Sequence, residues 1–149
     1  MPPASEPICH QVQHGSDEYA ATVALRDAIL RKPLGLAFDP RQLAAECDSI
    51  HLGCWVEGEL VGCVVLRPLS AGEVQLRQMA VAPHRQRMGI GARLVAYAEQ
   101  LLRSRGYREV SLHARRTAVG FYQRLGYRQQ GEEFIEVTIP HITMRKTLR

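Results

Sequence analysis

The residues with the clearest chemical potential form one contiguous run, Val81-Ala82-Pro83-His84-Arg85-Gln86-Arg87-Met88-Gly89-Ile90-Gly91-Ala92-Arg93-Leu94. An apolar, strand-like stretch enters it, two glycines turn it, and a helical period leaves it. A strand that turns directly into a helix aims several unpaired backbone N–H groups and the positive end of the helix dipole at one point. Such a point binds phosphate. Gly89 and Gly91 carry no Cβ, so an anion can approach the backbone there, and Arg85, Arg87 and Arg93 add positive charge. Two better-known phosphate patterns fail. The P-loop requires lysine and Ser/Thr after its second glycine, where this chain has Ala92-Arg93, and the dinucleotide fingerprint requires a third glycine. Metal chemistry finds no support: Cys9, Cys47, Cys54 and Cys63 contain no C-x-x-C pair, and the six histidines show neither H-E-x-x-H nor H-x-H. The expectation is no metal, with the cysteines buried as small hydrophobes.

These residues need elements to position them. Residues 8–13 alternate as a short strand. Ser16 caps a helix running to about residue 31, where Pro33-Leu34-Gly35 breaks it, and Asp39-Pro40 opens a short helix to about residue 46. Residues 50–56 and 60–66 read as a hairpin around Glu57-Gly58-Glu59, and residues 74–81 as a further strand. A helical period over residues 91–104 puts Leu94, Ala98 and Leu101 on one stripe, and Gly106 closes it. A strand over 109–112, a helix over 117–125 stopped by Gly126, and late strands over 134–139 and 142–144 complete the chain. The fold class is α+β, helices and strands mixed around one sheet.

The run Gln86-Arg87-Met88-Gly89-Ile90-Gly91 resembles the Q/R-x-x-G-x-G/A acyl-CoA loop of the Gcn5-related N-acetyltransferase (GNAT) family. About thirty residues on, Ala118-Val119-Gly120-Phe121-Tyr122-Gln123-Arg124-Leu125-Gly126-Tyr127 is similar to the family's A-x-x-F-Y-x-x-x-G-F/Y segment. The likeness covers roughly residues 8–147. It implies a three-layer fold whose twisted mixed sheet has central strands that splay apart, with acetyl-CoA as cosubstrate in the cleft. The pyrophosphate would lie on Gln86, Arg87, Met88, Gly89, Ile90, Gly91 and Ala92, and the pantetheine arm along Met79, Ala80 and Val81. Arg115 stands where the family often has asparagine, seven residues before the tyrosine, and Arg115 or Arg116 would instead meet a phosphate of the cosubstrate. The implied reaction is transfer of an acetyl group to a primary amine. Tyr122 would be the general acid, Glu136 and His141 the candidate bases, and a backbone N–H near residues 79–81 the oxyanion donor. Arg77 and Gln78 are candidate acceptor-site residues; strand alternation sends one to the cleft and the other to the helices. His51, His84 and His113 read as structural or surface histidines. The resemblance also implies pairing into a homodimer.

Composition sets the remaining bounds. A length of 149 residues suits a single domain over 1–149, with residues 1–7 as a poorly ordered tail. At 46% hydrophobic and 23% charged, the chain is too apolar for disorder, and its longest apolar runs fall far short of a membrane span. With no export signal visible, the expected location is cytoplasmic. The net charge of +4 divides unequally, −5 over residues 1–74 and +9 over residues 75–149. The basic half suits acyl-CoA phosphates. The acidic half suggests a cationic acceptor drawn by Asp39, Glu46 or Asp48, in place of nucleic acid or membrane. Two alternatives stand beside the enzyme: an acyl-CoA sensor without transfer, and a basic nucleic-acid-binding module, which lacks every zinc-finger, RRM or basic-zipper pattern.

Overall fold

The described residues form seven strands: β1 (Ile8–Val12), β2 (Ile50–Val56), β3 (Glu59–Pro68), β4 (Glu73–Val81), β5 (Glu109–Arg115), β6 (Arg128–Glu136) and β7 (Ile139–Thr147). The structure is a computed structural model describing residues 6–149, so most of the expected tail over 1–7 lies outside the described residues. The strands form one sheet in the order β1-β2-β3-β4-β5-β7-β6, and only β4 and β5 pair in parallel. The expected mixed sheet is therefore present, flanked by helices on both faces.

One face buries the helix of highest apolar periodicity, α3 (Ile90–Ser104). Its Leu94, Val95, Ala98 and Leu102 pack on Leu52, Val64, Leu66, Val74, Leu76 and Leu112 of the sheet. Strand alternation turns the intervening residues to the opposite face, where α1 (Asp17–Arg26) lies. There the Cys63 thiol sits 3.7 Å from the Thr22 carbonyl and Tyr19 meets His51 edge-on. Ser16 caps α1 by accepting from the Tyr19 N–H, with Asp17 and Glu18 in the first turn. Two shorter helices follow in their places, α2 (Pro40–Ala44), capped by Asp39, and α4 (Val119–Arg124).

Several elements differ from the sequence expectation, among them β7, which runs from Ile139 through Pro140 to Thr147 where a short strand over 142–144 is expected. The first helix does not run regularly to residue 31: α1 ends at Arg26 and widens into a π-turn over Asp27–Arg31, then a 3₁₀ turn over Lys32–Leu34. That widening, forced before Pro33, carries Leu30 and Arg31 to the mouth of the sheet. β5 continues three residues past 112, to Arg115. β6 begins at Arg128, six residues before the expected start, because residues 128–133 are an exposed polar edge with no apolar alternation to read. No helix among the described residues is long and apolar enough to cross a membrane.

Candidate active site

The site begins where β4 and β5 part. Their parallel pairing covers only Glu73–Leu76 against Glu109–Leu112. Beyond it β4 stays on β3 as far as Val81, and β5 stays on β7 as far as Arg115. The facing edges diverge into a cleft of about 310 Å³. A bulge bends β4 at this point: Val65 opposes Arg77 while Cys63 opposes Ala80, so β4 carries one extra residue, and Gln78 has φ +57°. The bulge breaks alternation, so Arg77 and Gln78 both line the cleft, where simple alternation had put only one. The Gln78 side-chain oxygen is buried without a hydrogen-bond partner.

The strand–turn–helix geometry expected between β4 and α3 is present. A 3₁₀ turn over Pro83–Arg85 leads to Gly89, which stands in the left-handed region at φ +80° as the N-cap of α3. The first helical hydrogen bond runs from Arg93 N–H to the Gly89 carbonyl, so the N–H groups of Ile90, Gly91 and Ala92 have no intrahelical acceptor. A Cβ on Gly91 would sit 3.1 Å from the Phe121 ring, so glycine here lets the helix start pack against α4. Gln86 donates from its side-chain amide to the Val81 carbonyl at 3.0 Å and ties the loop to β4. The Arg85 Nε–H is buried without a partner. A Cβ-free N-cap, free amides and an orphaned guanidinium donor all fit an anionic group such as a pyrophosphate.

Tyr122 lines the cleft from α4. Its ring is buried between Phe121 and Tyr127, at centroid separations of 4.9 and 5.7 Å. Its hydroxyl has no hydrogen-bond partner among the described residues, and burial raises its pKa, which keeps the phenol protonated. Across the cleft Glu136 and His141 come together. His141 Nδ1–H donates to the Ile139 carbonyl at 2.9 Å, and its Nε2 lies 3.9 Å from Glu136 Oε2. His113, which the sequence reads as a structural or surface histidine, also lines this cleft. Its Nδ1 approaches both Glu136 oxygens at 3.1 and 3.3 Å, and Gln75 contacts its Nε2 at 3.4 Å. The only sequence signal for His113 was its odd-numbered register with Arg115; Glu136 reaches it through the pairing of β5 with β7 and β7 with β6. His51, buried and bonded to the Glu46 carbonyl, and His84, paired with Glu59 at the surface, keep the structural places expected of them.

A second cleft of about 260 Å³ adjoins the first through Arg31, Arg77 and Gln78, and adds Phe38, Glu46 and Arg67 to the wall. Behind it Arg26, with no exposed surface, forms a two-pronged pair with Glu46 at 2.9 and 2.6 Å. Tyr19 donates to the same carboxylate at 2.9 Å. Burial alone would raise the Glu46 carboxyl, but the Arg26 and Tyr19 contacts outweigh it and hold it below the usual carboxylate range. Asp39 is spent capping α2, and Asp48 lines neither cleft. Arg115 lies against α1's side of the sheet, 3.4 Å from the Leu30 carbonyl.

Comparison with known proteins agrees with this geometry. The model of the acetyltransferase (GNAT) domain matches residues 36–148. The chain is 32% identical over 146 residues to the uncharacterized N-acetyltransferase YitI of Bacillus subtilis, covering 86% of this chain and 91% of that protein. It is also 32% identical over 106 residues to the uncharacterized protein YyaT of Bacillus subtilis, covering 71% and 70%. In fold it is similar to an aminoglycoside 6'-N-acetyltransferase complexed with coenzyme A, at TM-score 0.79, 20% identity and 95% and 97% coverage. A GNAT family acetyltransferase from Elizabethkingia anophelis with acetyl-CoA bound gives TM-score 0.74 and 18% identity over 95% and 98% of the two chains. With the splayed strands, the glycine turn before α3 and the family match in agreement, this chain belongs to the GNAT family of acetyltransferases.

Proposed function

We propose that this N-acetyltransferase moves an acetyl group from acetyl-CoA to a primary amine of a small molecule or peptide by direct attack. Tyr122 acts as general acid, and Glu136 with His141 takes the proton of the amine. The observation that carries this reading is Tyr122, which lines the cleft that opens between β4 and β5 with its hydroxyl unpartnered among the described residues. The α3 start at Gln86 to Ala92 is suited to the pyrophosphate, and the open edge of β4 at Met79, Ala80 and Val81 to the pantetheine arm. Acetyl-CoA supplies an activated thioester; the chain's own groups do the rest. We assign a backbone N–H near the β4 bulge, where Gln78 has φ +57°, as the donor to the charge that develops on the thioester oxygen.

An alkylammonium near pKa 10 must lose its proton before it attacks. The gap of 3.9 Å between His141 Nε2 and Glu136 Oε2 offers two acceptors to such a proton. His113 holds the Glu136 carboxylate in place by donating from Nδ1. The arginines nearby favour the neutral amine over the ammonium, since like charge disfavours the charged form. Tyr122, protonated at neutral pH, then has a proton for the departing thiolate. The test is release of CoA thiol from acetyl-CoA across an amine panel, with wild type beside Tyr122→Phe. The variant is expected to lose roughly 10²–10⁴-fold in kcat with acetyl-CoA affinity retained. Turnover equal to wild type at saturating substrate would overturn the assignment.

A further inference from the structure

The charge where the two clefts meet is one-sided. Arg31, Arg67, Arg77 and Arg115 line them, contributed by the π-turn, β3, β4 and β5. None of the four lies within 4.0 Å of a carboxylate among the described residues. Both carboxylates on these walls are already engaged, Glu46 by Arg26 and Glu136 by His113. Phe38 stacks on Arg31 at 4.5 Å and fixes its direction. Burial, and then repulsion from Arg26, Arg115 and Arg77, lowers the Arg31 guanidinium from its ordinary value, with Glu136 opposing. The cosubstrate's phosphates do not account for this cluster, because no residue from 81 to 92 lines either cleft. Guanidinium groups gathered without counter-ions repel one another, and a bound anion relieves that repulsion.

Resting on the acetyl-transfer reading above, we propose that this arginine wall is the anion subsite for the acceptor, so that the acceptor is a small amine that also bears a carboxylate. The planar guanidinium fork matches a carboxylate bidentately, and Arg31 and Arg77, shared by both clefts, hold it beside Glu136 and His141. This reverses the polarity expected from the acidic first half of the chain. Glu46 is neutralised by Arg26 and Asp39 is used as a cap, so a polyamine meets like charge here.

The test is a set of matched amines, each α-amino acid beside its carboxamide and its decarboxylated amine, assayed for thiol release from acetyl-CoA. Carboxylate-bearing members are expected to be preferred by about 10- to 100-fold in kcat/KM. Arg77→Gln is expected to erase that preference through the acceptor KM while leaving the KM for acetyl-CoA unchanged, and the exposed Arg67→Gln to weaken it in part. Equal or better turnover of the amides or of polyamines overturns the proposal. Absence of transfer to every amine counts against the acetyl-transfer reading instead. The subsite is then decided by NMR of the arginine Nε–H signals of the CoA-saturated protein, titrated with N-acetyl amino acids and with their amides. Shifts at Arg31 and Arg77 with the acids alone support it; no difference between acid and amide overturns it.

Discussion

Two regions of the molecule, the start of α3 and the arginine-lined end of the clefts, suit anions by opposite means. At the α3 end the donors are backbone amides, exposed because Gly89 takes a left-handed conformation and the first helical turn has no acceptors for them. At the α1 end the donors are guanidiniums on four separate elements, one of them, Arg31, stacked on Phe38, with the buried Arg26–Glu46 pair behind. Backbone donors are fixed by a few consecutive residues and cost little to organise. Side-chain donors need the whole sheet in register, and their mutual repulsion must be offset by packing. The first arrangement suits a ligand common to a family, the second a ligand particular to one member.

The comparison can be broken most severely at the junction of the ends. Glu136→Gln keeps the shape of the side chain but removes the proton acceptor and its pairing with His113. It is expected to cut kcat/KM for the acceptor by roughly 10²–10⁴-fold with acetyl-CoA affinity retained, measured by steady-state kinetics. A loss confined to KM would make Glu136 a binding group only.

The scaffold behind the arginine end comes next. Glu46→Ala leaves the fully buried Arg26 without its partner and is expected to destabilise the fold by ~3–5 kcal/mol, checked by denaturant unfolding. The same region sets an acid sensitivity. His51 has its pKa lowered by burial, so its contribution is complete above about pH 6.5 and declines as pH falls below that value. Glu46, also held low, adds a second decline below about pH 4.3 as its folded-state pKa is approached. Thermal unfolding from pH 7 to 3 is expected to show both losses in wild type, and the second to be absent in Glu46→Gln.

The smallest stability effect belongs to the backbone end. Gly89→Ala places a Cβ on a residue at φ +80° and is expected to cost about 1–2 kcal/mol. No atom lies within 4 Å of that Cβ, so the cost is conformational and not steric. A larger loss in a thermal melt would mean that the turn bears on the core.

Much of the backbone end was legible in the sequence, because its meaning is carried by neighbours: a strand, two glycines and an amphipathic helix in immediate succession. Tyr122 was legible for the same reason, from the short segment around it. The arginine end was not. Arg31 reaches the cleft only because a π-turn replaces the last turn of the expected helix. Arg77 and Gln78 share the cleft only because of a bulge that no single residue type announces. His113 gains its significance from Glu136, 23 residues away, through two antiparallel registers. The charge split between the halves is real, yet a carboxylate count does not show that Arg26 has already engaged Glu46.

The central claim is that the two ends serve different ligands, and calorimetric titration of CoA tests it without knowledge of the acceptor. CoA is titrated into wild type, Gly89→Ala and the double variant Arg31→Gln/Arg77→Gln. The account predicts that Gly89→Ala weakens binding about tenfold and that the double variant binds as wild type does. Loss of CoA affinity in the arginine variant, with Gly89→Ala unaffected, would contradict it.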